Sequence, residues 1–459
     1  MLRLALPIAA LALAACTPDP ASAPDASLDG GPPDVTVELD LAVERGPVRR
    51  RLGYLHSLSV RDDPAALELL GPLAPTTWRA NDAAVFALED ALGELDVELV
   101  LSDGFLAAHA PPSQIAPACS SGTGCFASDD ALVAAWTEAL TVGLDALVAA
   151  GVSVDQLDVM NEPSGSFYLS DATLLRLFQV AHDLIRTRLP ATRIVGPSTS
   201  GFPEPFEGVL AALAGGGVYV DHLAWHEFGM PEDIPAHVAT ARAAIASVYA
   251  DTPALAPTGI EINEVASGQH HLIPGWQLGF RYYLDLADVD ATVHACWAPT
   301  PGGPSECAGA LDGLFLPDGH TPQAIYWVDR FVAAQTGVRV PASSPDPHLV
   351  VLASRDDDAR QVRLLVGRYG CGQSGLFCTF ADHAVLDTPA PTERVALHLA
   401  HVPAGPLHVT TTRIPATFEA RALRESDLAR TSEDTTSTHD TTLTLSIDDG
   451  EVVELVLAY

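Results

Sequence analysis

Two stretches of this chain end in carboxylates that could share one reaction. Residues 154–167, VDQLDVMNEPSGSF, carry an apolar run straight into Asn161-Glu162-Pro163, and residues 258–265, TGIEINEV, end with Glu261 and Glu264. Two carboxyl groups flanking one bond are what glycoside hydrolysis requires. One must be protonated, to hand its proton to the leaving oxygen; the other must be ionised, to attack the anomeric carbon. Their surroundings have to push the two pKa values apart. In a regular strand, residues three apart point to opposite faces, so only one of Glu261 and Glu264 is expected to enter a shared site. Position at the strand's end favours Glu264, and Glu261 is the alternative.

The elements that would place these groups can be read from periodicity. Between about residues 50 and 337, short apolar strands alternate with amphipathic helices: LGYLHSLSV, PTTWR, DVELVLSDGF, QLDVMNEP, RIVGPS, VDHLAWHEFG, TGIEINEV and DATVHACW read as strands. Between them lie helical patterns such as DDALVAAWTEALTVGLDALVAAG, with aspartates at its start and a glycine at its end. Eight strand–helix units predict an α/β fold, a (β/α)8 TIM barrel over residues 46–340. A doubly wound open sheet is the competing architecture, but no glycine-rich phosphate loop follows an early strand. Residues 341–459 change character to alternating apolar strands separated by turns, which predicts a C-terminal all-β sandwich domain, with ARALRESDLAR as its one helical candidate. In a barrel, chemistry sits at the C-terminal ends of the strands. Glu162 ends the fourth strand; Glu261 and Glu264 end the seventh.

The formal net charge is -35 and the chain has no lysine, a surface that repels nucleic acid and anionic lipid. With 48% apolar residues, a large core is available. Residues 1–16, MLRLALPIAALALAAC, hold one arginine and an apolar run too short to span a bilayer. The run ends in Leu13-Ala14-Ala15-Cys16, which resembles a bacterial lipoprotein signal with Cys16 as the lipidated residue. Residues 17–45 are expected to be a flexible linker, most clearly TPDPASAPDASLDGGPPD. No later run reads as a membrane helix. These features predict export, with a lipid anchor holding the protein at a bacterial outer membrane or cell surface. The six remaining cysteines fall in three close pairs, Cys119/Cys125, Cys296/Cys307 and Cys371/Cys378, expected to be local disulfides. None has the spacing of a zinc site, no run matches a calcium loop, and no cofactor motif is present, so no metal or cofactor is expected.

NEP at the end of strand four, with a glutamate at the end of strand seven, resembles the clan A glycoside hydrolases, and the trailing β-sandwich is similar to the family 39 type. Further strand ends are similar too: TTWR with Arg79, GPSTSGF, VDHLAWHEFG with His226, and ACWAP with Trp297. The resemblance implies a retaining enzyme acting on a carbohydrate, in which Glu162 is the general acid/base and Asn161 binds the sugar 2-hydroxyl. His226 would then lie near the nucleophile and Trp297 would floor the sugar site. INEVASGQHHLIPGWQ is similar to the pattern that makes Glu264 the nucleophile. The family 39 pattern of glutamate, aromatic, asparagine would select Glu261, but Ile262 stands in the aromatic place. Arg79 and His56 are further substrate-side candidates; Asp103 and Trp225 sit at other strand ends, and Trp78 is expected to point into the wall. The protein is expected to act as a monomer. The competing functions are a catalytically inactive carbohydrate-binding surface lipoprotein on the same fold, and a structural or adhesive lipoprotein whose NEP is chance. Carboxylates about 5 Å apart would speak against the last.

Overall fold

The computed structural model describes residues 32–93, 95–102, 126, 128–163, 171–202, 206–266, 270–297, 306–370, 391–417 and 419–459. The signal segment with Cys16, most of the tether, Asp103, Cys119/Cys125 and Cys371/Cys378 lie outside them. The third predicted pair is a disulfide, Cys296–Cys307.

The first strand, β1 (Val35–Asp40), corrects the expectation of a linker there. It pairs in parallel with a strand near the far end of the chain, Val35 opposite Val395 through Asp40 opposite Ala400. Val37, Leu39 and Leu41 are buried, so the alternation in VTVELDL was a strand signal inside a segment whose preceding composition reads as linker. Eight parallel strands then close the predicted barrel: β2 (Gly53–Leu55), β3 (Thr77–Ala80), β4 (Asp96–Leu101), β5 (Gln156–Val159), β6 (Arg193–Thr199), β7 (His222–Glu227), β8 (Gly259–Val265) and β9 (Ala291–His294). The first is shorter than its apolar run suggested. After Leu55 the chain turns through left-handed His56 and Ser57 into a 3-10 helix over Leu58–Asp62.

Each barrel strand is buried on both faces, which is why its sequence runs apolar with little alternation. In β4, Val97, Leu99 and Leu101 pack outward under the helices, while Glu98 faces the interior. The helix Asp129–Ala150 shows the local logic. Ser128 caps it, its oxygen accepting from the Ala131 N–H at 3.2 Å; Asp129 and Asp130 meet the positive end of the dipole; Gly151, at φ 68°, ends it. It buries Leu132, Trp136, Leu140 and Leu144 and corrects the expectation that no later run could pass for a membrane helix. By length and composition it is long and apolar enough to cross one, but here one face lies in the barrel wall.

The C-terminal strands form two sheets. The six-stranded one holds β10 (Val338–Val340), β12 (Leu349–Asp356), β13 (Gln361–Arg368), β15 (Gly405–Ile414), β16 (Ala429–Ser437) and β18 (Val452–Ala458). The four-stranded one holds β11 (Ala342–Ser343), β14 (Glu393–Ala400), β17 (Thr441–Ile447) and β1. They enclose a core of their own, including Val37, Leu364, Leu397 and Leu455. The candidate helix ARALRESDLAR is instead a 3-10 turn over Glu425–Asp427 leading into β16. β16 is an edge strand, polar and exposed nearly throughout, so it has no apolar alternation to read. The sandwich and the barrel share packed side chains: Tyr369 lies 5.2 Å from Trp276 by ring centroids, and its hydroxyl donates to Glu232 at 2.8 Å.

Candidate active site

Glu162 stands three residues beyond β5. Met160, at φ 72°, and Glu162, at φ 45°, both take left-handed backbone, and the Glu162 N–H donates to the Ser198 carbonyl at 2.9 Å. Left-handed non-glycine residues carry a cost that surrounding structure has to sustain, and they gather at functional sites. Here the turn lifts Glu162 out of the strand and presents it at the mouth, where it is partly exposed.

Glu264 reaches the same place by a different device. Trp225 pairs with Ile262, but the next residue, His226, pairs with Glu264, so Asn263 is an extra residue in β8. Such a bulge re-aims the side chains that follow it. It also corrects the opposite-face expectation. Glu261 and Glu264 both face the barrel interior, at different depths. Glu261 is fully buried low in the barrel, hydrogen-bonded to His222 Nδ1, while Glu264 sits at the mouth, its side chain 15% exposed. Burial lowers the His222 pKa, but the hydrogen bond to Glu261 and its charge more than offset that, and the net shift is upward.

Arg79 ties the site together. It is buried, and its guanidinium donates to Glu98 Oε1 at 3.0 Å, Asp158 Oδ2 at 2.5 Å, Glu264 Oε1 at 2.7 Å and Asn161 Oδ1 at 2.6 Å. Burial opposes its charge, but Asp158, Glu264 and Glu98 outweigh that and hold it protonated. Its bond to Asn161 Oδ1 turns the amide so that Nδ2 is left for a ligand. Below it, Asn263 Nδ2 donates to Glu98, Asp158 and Ser198, whose hydroxyl donates to Asp158 Oδ1 at 2.6 Å. Glu98, Asp158, Ser198 and Asn263 were not among the residues expected from the sequence. A carboxylate in an otherwise apolar strand, as in DVELVL and QLDVM, was the available signal.

His226 is fully buried between the two mouth glutamates, Nδ1 at 2.9 Å from Glu162 Oε1 and Nε2 at 3.7 Å from Glu264 Oε1. Its hydrogen bond lowers the Glu162 pKa against the opposing effect of burial. Glu162, His226 and Glu264 each place one ligand-type atom within 4.8 Å of the others. A cation there would compete with the Arg79 guanidinium for Glu264. His56 lies close enough to feel Arg79 and Glu264; burial, then Arg79, push its pKa down to about 4, so it is neutral at pH 7. Trp297 donates from Nε1 to the Ala266 carbonyl at 3.1 Å and meets Phe228 edge-on at 5.1 Å; Phe228 in turn lies 5.4 Å from His226. Phe228, also unexpected, completes an aromatic wall from β7 to the Cys296–Cys307 loop. Trp225 and Trp78 are both buried in the outer wall.

Replacing His226 with phenylalanine removes the donor that favours the ionised form of Glu162. Its carboxyl should then keep its proton to higher pH. The alkaline limb of any activity requiring protonated Glu162 should move upward, a shift that a pH profile of kcat/KM in wild type and variant would read.

No protein-family model matches this chain, and no curated protein matches it by sequence. Solved structures do match in shape. N2152 from Neocallimastix frontalis superposes with a TM-score of 0.70 at 17% identity, over 92% of this chain and 99% of that one. A monomeric beta-xylosidase from Caulobacter crescentus CB15 gives 0.65 at 17% identity over the same shares. The GH39 enzyme from Xanthomonas axonopodis pv. citri gives 0.64 at 17% identity, over 95% of this chain and 99% of that one. The chain therefore shares its fold with these structures, a closed (β/α)8 barrel joined to a β-sandwich.

Proposed function

We propose that this protein is a retaining glycoside hydrolase that cleaves β-glycosidic bonds of oligo- or polysaccharides by double displacement. The observation that carries the reading is the spacing of Glu162 and Glu264, with one oxygen of each within 4.8 Å of the other. Retaining enzymes hold their carboxyl groups about 5–5.5 Å apart, whereas inverting ones leave about 6.5–9.5 Å for a water.

In the first step Glu264 attacks the anomeric carbon. The bond to the leaving oxygen breaks, and Glu162 gives that oxygen its proton. In the second step Glu162, now a carboxylate, takes a proton from water; the water oxygen attacks the anomeric carbon and Glu264 leaves, regenerating both groups. Arg79 holds Glu264 Oε1 at 2.7 Å and orients it for attack. Glu162 has to carry a proton at the start although His226 lowers its pKa. A bound glycoside supplies the opposing push, by excluding water beside an ionised Glu264. Asn161 Nδ2 is placed to donate to the 2-hydroxyl, a contact that tightens in the transition state. Trp297 and Phe228 offer an apolar floor to the sugar. The N-terminal sequence supports anchoring through lipidated Cys16, outside the cytoplasm.

A panel of aryl β-glycosides (xyloside, glucoside, galactoside, mannoside, glucuronide) tests the reading on wild type and Glu162→Ala. The variant should lose about 10²–10⁴-fold on substrates that need the acid. With an activated leaving group, azide should restore turnover and give the β-glycosyl azide. A hit that survives Glu162→Ala intact would remove Glu162 from the acid/base role.

A further inference from the structure

Beneath the site, Arg79 is surrounded by more negative charge than it can neutralise. Three carboxyl groups touch its guanidinium: Glu98, Asp158 and Glu264. If all were ionised, a buried cluster would carry two surplus charges. That is costly, and a buried group in such a position takes up a proton instead. The contacts single out which one. Asp158 Oδ2 receives Nε at 3.1 Å and Nη2 at 2.5 Å, and its Oδ1 receives Ser198. Glu264 takes Nη1 and is partly open to solvent. Glu98 is fully buried, and its Oε1 shares Nε with Asp158 while accepting from Asn263 at 3.1 Å.

The unused oxygens point the same way. Among the described residues, Glu98 Oε2 and Glu261 Oε2 are both buried and reached by no donor. A negative charge on Glu261 raises the cost of a second one on Glu98, and one proton carried on Glu98 removes both that repulsion and an unpaired anionic oxygen. Glu261 has partners for its other oxygen, His222 and the Gln156 amide at 2.8 Å in the orientation that satisfies that amide. The surrounding groups are thus Arg79 on β3, Gln156 and Asp158 on β5, Ser198 on β6, His222 on β7, and Glu261, Asn263 and Glu264 on β8. Burial, then the charges of Glu261 and Asp158, raise the Glu98 pKa well above the usual carboxylate range, against the pull of Arg79 and Asn263.

We propose that Glu98 is a positioning residue: a neutral carboxylic acid that seats Arg79 from below and leaves the guanidinium charge to Asp158 and Glu264. Its effect on turnover rests on the glycosidase reading; its protonation does not.

Glu98→Gln is the test, in the full chain. A glutamine, like the neutral acid, is uncharged and keeps an oxygen for Arg79 and Asn263. The variant should therefore fold and keep kcat within about threefold of wild type. Infrared difference spectra at pH 7 should show a protonated-carboxyl band in wild type that the variant lacks. A folded-state pKa raised above its unfolded value means that the native state holds a proton the unfolded chain releases. Wild type should then lose stability relative to Glu98→Gln as pH rises above the unfolded value, by about tenfold in the unfolding constant per pH unit while native Glu98 stays protonated. A merely structural glutamate would give a constant ratio. The proposal is overturned if the variant fails to fold, if the band is absent, or if the ratio is flat. A folded variant with turnover reduced far beyond threefold would also overturn it, by showing that the charge on Glu98 is needed. If wild type cleaves no glycoside, the function proposed above fails, and the infrared and stability measurements still decide the state of Glu98.

Discussion

Glu264→Ala should lower kcat on an activated aryl β-glycoside by about 10⁵-fold, the order expected when a covalent nucleophile is removed. The reason is geometric. At the mouth of the barrel, Glu264 is the carboxylate that Arg79 holds at 2.7 Å and that lies opposite Glu162. Azide can enter the space left by the truncated side chain and attack the anomeric carbon from that face. The product should be the α-glycosyl azide, one inversion from a β-glycoside, and proton NMR of the anomeric position reads it. The matched experiment is Glu261→Gln, which should keep activity within about tenfold, because Glu261 lies deep in the barrel against His222. The reverse pattern, with Glu264→Ala active and Glu261→Gln dead but folded, would make Glu261 the nucleophile.

Arg79→Met carries the second large effect. The side chain that replaces the guanidinium fills similar space but leaves Glu98, Asp158 and Glu264 facing one another. Removing one partner of a buried ion pair costs about 3–5 kcal/mol, and this arginine serves more than one carboxylate. The urea midpoint should fall accordingly, with the slope of the transition unchanged. The loss should be pH-dependent with a definite sign. Carboxyls deprived of the cation have raised native pKa values, so the variant's native state binds protons that its unfolded state does not. Its deficit should therefore grow as pH rises and shrink towards pH 5. Glu264 also loses the donor that orients it, so kcat should fall with the stability. A variant as stable as wild type at pH 7 would mean that the cluster is already neutral without Arg79.

Much of the architecture was legible along the chain because its causes are local. The eight apolar strand runs, the Ser128 cap and Gly151 stop, and the turn-separated strands of the C-terminal half all follow from periodicity and end chemistry. Segments that lacked such a signal could not be read. β16 is exposed along nearly its whole length and has no buried face to leave a pattern. β1 did alternate, but a proline-rich, glycine-rich neighbourhood masked it. Its partners, β11 and β14, lie more than 300 residues away, and no local rule states those pairings.

The residues that could do chemistry, Asn161, Glu162, His226, Glu261, Glu264 and Trp297, were determined by the sequence itself, since residue type and position at a strand end are properties of the chain. Which of them meet was decided only in three dimensions. Strand periodicity put Glu261 and Glu264 on opposite faces, and one inserted residue at Asn263, a feature of pairing between β7 and β8, put both inside at different depths. The buried carboxylates Glu98 and Asp158 acquired meaning only when barrel closure brought β3, β4, β5 and β8 around Arg79. A charge's cost and its protonation depend on what surrounds it within a few ångströms, and those neighbours lie up to 185 residues apart.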